Sequence, residues 1–421
     1  MGQDRKTFWK AFGPGLLWAA AAIGVSHVVQ STRAGAMAGF GLAGVVLVAN
    51  ILKYPFFEYG PRYAAATGDS LVEGYQRIGS WALWLYIAIT LSTALVIQSA
   101  IVLLTSFLII YAFGLTLSIP MIAGIVCAAG GVLLYAGRFR LLDLLIKLIL
   151  AVLAVSTIVA AAITLPSADF STLALFPPIG NGAIQFGFLL ALVGWMPSAI
   201  DIAVWSSLWT LAKNDATGSR VSVSDALLDF RIGYVGTVIM AFAFLTLGAT
   251  VMHGSGQSFS PQGGGFASQL VELYTQTLGQ WARPIVVAAV LTTMLSTAVT
   301  VIDGFPRAID RSIRVAMGKR SEPHEGTPPG SIYWIALVSL AIATILVVAL
   351  FAGTLAAMVD FATIVSFLVA PALGYLNLRA VTSPEVSPED RPGRGLIALS
   401  WAGLVLLGAT AVAYVWFLAF A

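Results

Sequence analysis

Two apolar stretches of the sequence carry polar and helix-breaking residues at their centres. The first, 19-AAAAIGVSHVVQSTRAGAMAGFG-41, holds Gly24, Ser26, His27 and Gln30. The second, 190-LALVGWMPSAIDIAVWSS-207, is interrupted between Gly194 and Ser198. A helix that unwinds inside a membrane leaves carbonyl groups and half-helix ends unpaired, and these groups can replace the water around a solute. We therefore predict a binding site for a small solute where the two breaks meet.

The side chains at the breaks are the candidate ligands of that solute. They are Gly24, Ser26, His27, Gln30, Trp195, Met196, Ser198 and Ala199. Among them His27 and Met196 are the candidate metal ligands, because imidazole and thioether groups are soft and suit a late transition metal. Asp201 follows Met196 by about 1.4 helical turns, so it is an awkward ligand unless the helix is unwound there.

Ionisable groups inside apolar segments are the candidates for coupling solute movement to an ion gradient. They are His27, Lys53, Glu58 and Asp201. Two further carboxylates have structural explanations. Asp303 lies one helical turn before Arg307 and is expected to pair with it. Asp360 stands near the start of an apolar segment and is expected to cap that helix or to line an outer gate.

The composition identifies a protein that crosses a membrane several times. Of 421 residues 59% are hydrophobic and 10% are charged, which excludes a soluble globular domain. A crossing needs about 20 apolar residues. Eleven segments meet that length, at about 14–38, 41–64, 82–112, 117–136, 142–165, 183–210, 232–252, 284–306, 332–352, 355–378 and 395–419.

The distribution of lysine and arginine predicts the orientation. On the predicted cytoplasmic side lie Arg5, Lys6, Lys10, Arg62, Arg77, Arg138, Arg140, Lys213, Arg220, Arg231, Arg307, Arg311, Arg314, Lys319, Arg320, Arg379, Arg391 and Arg394. The opposite side keeps Arg283 alone. Because cytoplasmic loops are rich in these residues, we expect a cytoplasmic N-terminus, an external C-terminus and a location in a bacterial inner membrane.

Several classes of function lack support in the sequence. The three histidines, His27, His253 and His324, are too scattered to form a zinc cluster or a catalytic triad. There is no GxxxxGK[ST] phosphate-binding motif, and the basic residues form no single patch for nucleic acid. We expect no enzyme activity, no cofactor and no nucleic-acid partner; the expected partners are the lipid bilayer, protons and a small solute or divalent cation.

The two interrupted segments are the first and the sixth, five segments apart. Because five is odd, a unit of five segments that is repeated once has inverted topology, and paired broken helices are typical of a transporter's central site. We predict an all-α polytopic membrane protein with eleven transmembrane helices, of which helices 1 and 6 are broken. One transmembrane domain covers 1–421, with repeats at about 12–167 and 181–380 and an extra helix at about 395–420.

Several motifs resemble the NRAMP family of proton-coupled divalent-metal transporters. They are GPGLL (13–17), AGAMAGFG (34–41), VAN (48–50), ATGDSLVEGY (66–75), GRFRLLDLLIK (137–147) and the pair Met196-Pro197. The resemblance covers most of the chain. It implies the inverted-repeat fold of the bacterial leucine transporter (LeuT), and a secondary transporter that moves a divalent metal cation by alternating access.

This sequence departs from the family at the implied metal site. The family's first break reads Asp-Pro-Gly-Asn, where this chain has Gly24, Val25, Ser26 and His27, and Ser198 and Ala199 replace the His and Asn of the sixth segment. Two hypotheses follow. One is a cation transporter with a rebuilt site. The other is a transporter of a small organic solute, anions included, held at the half-helix N-termini.

Overall fold

The structure, a computed structural model, describes residues 13–136, 139–175, 186–253, 255, 259–260, 262–319, 330–351 and 354–420. Regular structure in these ranges is helical throughout. Several features used in the sequence analysis lie outside the described residues: Arg5, Lys6, Lys10, Arg138, Arg320, His324 and the start of GRFRLLDLLIK.

In the first half of the chain, the described residues form seven α-helices. They are α1 (Pro14–Ala22), α2 (Thr32–Ala38), α3 (Ala43–Thr67), α4 (Leu71–Ile78), α5 (Ser80–Phe113), α6 (Ile119–Tyr135) and α7 (Phe139–Thr164). A short π-helix, Ser26–Ser31, runs directly into α2. Two single 3₁₀ turns, Leu165–Ser167 and Phe170–Thr172, follow α7.

In the second half, eight α-helices lie within the ranges given above. They are α8 (Phe186–Trp195), α9 (Ile202–Thr217), α10 (Val223–Leu247), α11 (Gly263–Leu278), α12 (Arg283–Ala316), α13 (Ser331–Phe351), α14 (Leu355–Val381) and α15 (Arg394–Phe420). A π-helix, Gly248–Met252, extends α10, and a 3₁₀ turn, Gln280–Ala282, precedes α12.

Apart from the two breaks described below and a few end residues, each of the eleven predicted segments is helical where the structure describes it. Helix is the expected form, because apolar surroundings offer no water to backbone groups and a helix pairs them internally. Among the described residues, six helical stretches are long and apolar enough to cross a membrane by length and composition. They are Ser80–Phe113, Val223–Met252, Gln280–Ala316, Ser331–Phe351, Leu355–Val381 and Arg394–Phe420.

Both predicted interruptions are present. The first segment is non-helical at residues 23–24, between α1 and the helical residue Val25 that leads into the π-helix. The sixth is non-helical over residues 196–201, between α8 and α9. This second break starts two residues later than predicted, because Gly194 and Trp195 still belong to α8.

The broken helices are enclosed by other helices of the chain. In the first segment α1 packs against α10, and in the sixth α8 packs against α14 while α9 packs against α3. A Cβ atom on Gly194 would lie 2.1 Å from the carbonyl oxygen of Thr363 in α14. Glycine therefore lets α8 and α14 approach closely at the turn where α8 ends.

Candidate functional site

A cavity of about 40 Å³ lies between the two breaks. Ser26 lines it from the first break, and Trp195, Ser198, Ala199 and Asp201 line it from the end of α8 and the second break. Its remaining walls come from α1, α5, α9 and α12 and are mainly apolar, among them Ile97, Ile101, Trp205 and Val301. The volume accommodates about three water-sized groups.

Asp201 is the charged side chain of this cavity. It is 2% exposed, and its Oδ1 accepts a hydrogen bond of 2.8 Å from Thr93 Oγ1 on α5. Its Oδ2 accepts no hydrogen bond from any residue that the structure describes. A buried carboxylate oxygen without a donor is costly, so the arrangement suits a cationic ligand or a proton at that oxygen.

Trp195 is fixed across the cavity by a second helix. Its Nε1 donates a 2.8 Å hydrogen bond to Ser366 Oγ on α14. The indole therefore contributes a rigid wall. The hydroxyls of Ser26 and Ser198 are the other side-chain oxygens among the predicted residues that line the cavity.

His27 lies inside the first break, but its ring nitrogens contact the protein. Nδ1 is 2.7 Å from Ser26 Oγ and 3.1 Å from the carbonyl oxygen of Ala22, and Nε2 is 3.0 Å from the carbonyl oxygen of Thr237 on α10. With hydrogen on Nε2, the ring donates to Thr237. The imidazole thus ties the break to α10 and does not line the cavity.

The structure does not bring the other predicted ligands into the cavity. Met196 is fully buried in an apolar cluster with Leu192 and Leu245. Gly24 faces α12, where an added Cβ would lie 3.0 Å from the side chain of Thr297. Gln30 belongs to a separate polar group, since its Nε2 donates to Asp360 Oδ1 over 3.1 Å.

Asp360 does not cap a helix, so that part of the expectation is wrong. Helix α14 begins at Leu355, and Asp360 lies in its second turn. There it forms an ion pair with Arg33, with an Nη1–Oδ1 distance of 2.7 Å. The predicted pair of Asp303 with Arg307 is confirmed by an Nη2–Oδ1 distance of 2.8 Å.

Lys53 and Glu58 have different partners, although both lie on α3. Glu58 is an ion-pair partner of Arg62, with an Nη2–Oε1 distance of 2.5 Å, and of Arg231, with an Nη2–Oε2 distance of 3.5 Å. It also accepts a hydrogen bond from Tyr54. Lys53 instead contacts the backbone at the end of α8. Neither side chain lines the cavity.

The site contains one carboxylate and no ready-made metal cluster. Within the described ranges, no three His, Cys, Asp or Glu side chains gather where a metal ion would fit. A metal ion at Asp201 would therefore complete its coordination with hydroxyls, carbonyls or water, which are the oxygen ligands that hard cations accept.

Sequence analysis missed the contributions of α5 and α12. Thr93 orients Asp201, and Ile97, Ile101, Thr297 and Val301 close the cavity. Apolar residues and isolated threonines occur throughout membrane helices, so these positions carry no distinctive signal. The only hint was the spacing of Thr93 and Ile97, which places both on one face of a helix.

Comparison with known proteins identifies relatives over the whole length of the chain. The model of the family described as natural resistance-associated macrophage protein-like (Nramp) matches residues 15–417. An uncharacterised protein of Pasteurella multocida is 34% identical over 412 residues, which are 96% of this chain and 92% of that protein.

Two further comparisons concern transporters. The divalent metal cation transporter MntH of Chromohalobacter salexigens is 26% identical over 276 residues, which are 61% of this chain and 60% of that protein. The crystal structure of a manganese transporter of Eremococcus coleocola superposes with a TM-score of 0.73 at 13% identity, covering 97% of this chain and 86% of that one. The second comparison shows a shared LeuT-like fold.

Proposed function

The chain belongs to the Nramp family, and from that premise we propose that it is a secondary transporter that carries a divalent metal cation across the membrane. The proposed architecture has eleven transmembrane helices, with inverted repeats at 12–167 and 181–380 and an extra helix at 395–420. The N-terminus is cytoplasmic and the C-terminus is external, as the charge bias predicts. Transport proceeds by alternating access, in which the two broken helices move against the other helices.

The observation that carries this proposal is that Asp201 lines the cavity between the breaks, while its Oδ2 accepts no hydrogen bond from any described residue. A divalent cation loses much of its water on binding and needs an anionic oxygen ligand in return. The resemblance to the family implies an Asp in the first segment for this role. In this chain Asp201, on the second break, supplies the carboxylate from the opposite side of the same cavity.

The position of Asp201 depends on the unwinding of the sixth segment. In a continuous helix it would be rotated away from the residues before the break. Because residues 196–201 are not helical, Ser198, Ala199 and Asp201 all reach the cavity. Ser26 and Ser198 provide neutral oxygens there, while the apolar walls exclude bulk water.

Coupling to protons follows from the same carboxylate. A proton and a metal ion compete for Oδ2 of Asp201, so a proton gradient can drive the release of the metal on one side. The alternative of an anionic organic solute is disfavoured, because Asp201 would repel an anion in a cavity that has no basic side chain among the described residues that line it.

The test is metal uptake into proteoliposomes that contain a metal-sensitive dye. Mn²⁺, Mg²⁺ and Zn²⁺ are offered separately to wild type, Asp201→Asn and Asp225→Asn. Asp225 lies at the start of α10, away from the cavity, and is the matched control. We expect saturable uptake of at least one ion by wild type and Asp225→Asn, and a loss of at least about tenfold in Asp201→Asn.

Two results would contradict the proposal. Folded wild-type protein that takes up none of the three ions would exclude divalent-metal transport as tested. Undiminished uptake by Asp201→Asn would move the metal site away from the cavity. Uptake at several pH gradients then tests the coupling: because proton and metal compete for one oxygen, an acidic interior should accelerate metal uptake and an acidic exterior should slow it.

A further inference from the structure

Lys53 carries an ammonium group into the centre of the protein. Its side chain starts near the middle of α3, and the residue is 1% exposed. Nζ donates hydrogen bonds to the carbonyl oxygens of Val193 at 3.0 Å, Gly194 at 2.9 Å and Ser198 at 2.8 Å. We call these three oxygens the carbonyl cage.

The cage exists because the sixth segment is broken. Val193 and Gly194 belong to the last turn of α8, whose final carbonyls have no partner further along the helix. Ser198 lies in the non-helical stretch that follows. The C-terminal end of a helix also carries partial negative charge, which favours a cation at this position.

The geometry matches an ammonium ion in particular. A protonated lysine has three N–H donors and no acceptor, and here three carbonyl oxygens receive them. The structure shows no ion pair between Lys53 and any carboxylate among the described residues; Glu58 on the same helix is paired with Arg62 and Arg231. The ring of Phe57, 5.7 Å from Nζ, adds a further weak attraction.

A set of backbone carbonyls at an unwound helix is also the arrangement that transporters use to bind Na⁺ and similar ions. We propose that the Lys53 ammonium is a built-in cation, which permanently occupies a monovalent-cation site at the end of α8. The three carbonyl oxygens at the break therefore need no dissolved Na⁺ or K⁺ ion as a ligand. This inference concerns the break itself and goes beyond the proposed metal substrate.

Two consequences for specificity follow. The three carbonyl oxygens are unavailable to the transported ion, so the substrate must bind on the other side of the break, where Asp201 and Ser198 side chains line the cavity. Lys53 and Asp201 therefore have separate roles at the same break: Lys53 binds the Ser198 carbonyl oxygen, and Asp201 is the last residue of the non-helical stretch and lines the cavity.

The test removes the ammonium group by substitution of Lys53 and asks whether a small dissolved cation can replace it. The quantity measured is thermal stability in detergent, without any transport substrate. Lys53→Ala removes the ammonium and leaves space for a free ion. Lys53→Met removes the charge but keeps most of the volume. Lys319→Ala, at an exposed position just beyond the end of α12, is the matched control. Each is heated in buffers of equal ionic strength that contain NaCl, KCl, methylammonium chloride or N-methylglucamine chloride.

We expect Lys53→Ala and Lys53→Met to melt about 5 °C or more below wild type in N-methylglucamine, whose cation is too large for the cage. A small cation should restore Lys53→Ala saturably and should leave Lys53→Met unchanged. Lys319→Ala and wild type should not respond. Equal melting temperatures of Lys53→Ala and wild type in N-methylglucamine would overturn the proposal. The proposal would also fail if Lys53→Ala remained unstable or unfolded with every cation tested.

Transport adds an independent check on the wild type. Metal uptake at constant ionic strength should be the same when N-methylglucamine replaces Na⁺ and K⁺ on both sides. A requirement for either ion would contradict a built-in cation. Because the stability measurements need no substrate, they decide this proposal even if the protein transports none of the metals tested.

Discussion

Arg33 on α2 and Asp360 on α14 form an ion pair with two hydrogen bonds. Nη1 of Arg33 is 2.7 Å from Oδ1 of Asp360, and Nη2 is 3.1 Å from Oδ2. Gln30 joins the pair, because it donates to Asp360 and accepts from Arg33. The cluster therefore connects the half-helix after the first break to the helix that packs on α8, on the side that the charge bias assigns to the exterior.

Breaking this contact should open the cavity from the outside. Asp360→Asn removes the charge that holds Arg33. The two side chains are 15% and 29% exposed, so solvent screens the pair and we expect a loss of about 1 kcal/mol. A change of that size alters the population of an open state about fivefold. The measurement is the labelling rate of Ser198→Cys by an impermeant thiol reagent, in a Cys127→Ala background.

Asp69→Asn is the matched control for this experiment. It removes the partner of Arg77 in an ion pair on the predicted cytoplasmic side. Labelling of Ser198→Cys from outside should stay at the wild-type rate in this variant. If Asp360→Asn also left the rate unchanged, the Arg33 contact would be a stabilising pair without a role in access to the cavity.

A second prediction concerns the crossing of α2 and the end of α10. A Cβ atom on Gly35 would lie 2.0 Å from the carbonyl oxygen of Leu245, and one on Gly248 would lie 2.1 Å from that of Thr32. Two backbones in such close contact leave no room for a methyl group. Gly35→Ala should cost about 2–3 kcal/mol, because one of the helices must move.

Gly236→Ala provides the comparison. It lies in the same helix α10, and an added Cβ there meets no atom within 4 Å. Alanine is the better helix former by about 1 kcal/mol, so this variant should be as stable as wild type or slightly more stable. Heating both variants in detergent and following the folded fraction by gel filtration separates the two effects. Equal melting temperatures would show that the crossing can relax at little cost.

The sequence was sufficient to predict the helices and their two interruptions. Long apolar runs leave the backbone no alternative to a helix in a membrane, and Met196-Pro197 and the polar residues after Ile23 mark the breaks. The pair of Asp303 with Arg307 was also predictable, because residues four apart on a helix are neighbours. These inferences depend on local spacing alone.

The residues that line the cavity were harder to predict, because they depend on the direction in which each side chain points. His27 and Met196 stand at the positions suggested by the motif, yet His27 donates to the Thr237 carbonyl and Met196 packs in an apolar cluster. Asp201 would point away from Met196 and the binding site only if the sixth segment were a continuous helix. The carbonyl cage of Lys53 could not be foreseen, since backbone oxygens are common to every residue type.

The last prediction concerns Thr93, which positions the carboxylate proposed to bind metal. Its hydroxyl donates the 2.8 Å hydrogen bond to Oδ1 of Asp201 and so holds in place a carboxylate that lines the cavity. Thr93→Val keeps the shape of the side chain but removes the donor. Residues that orient a metal ligand typically contribute about 10- to 100-fold to metal affinity, so half-saturation of uptake should need at least about tenfold more metal.

Thr93→Ser tests whether the hydroxyl or the shape matters. Serine retains the donor and should stay within about threefold of wild type, a difference below about 1 kcal/mol. Uptake is measured in proteoliposomes over a range of metal concentrations, with the amount of folded protein determined by gel filtration. If Thr93→Val half-saturates at the wild-type concentration, the hydrogen bond serves only to stabilise a buried carboxylate and does not position it for the transported ion.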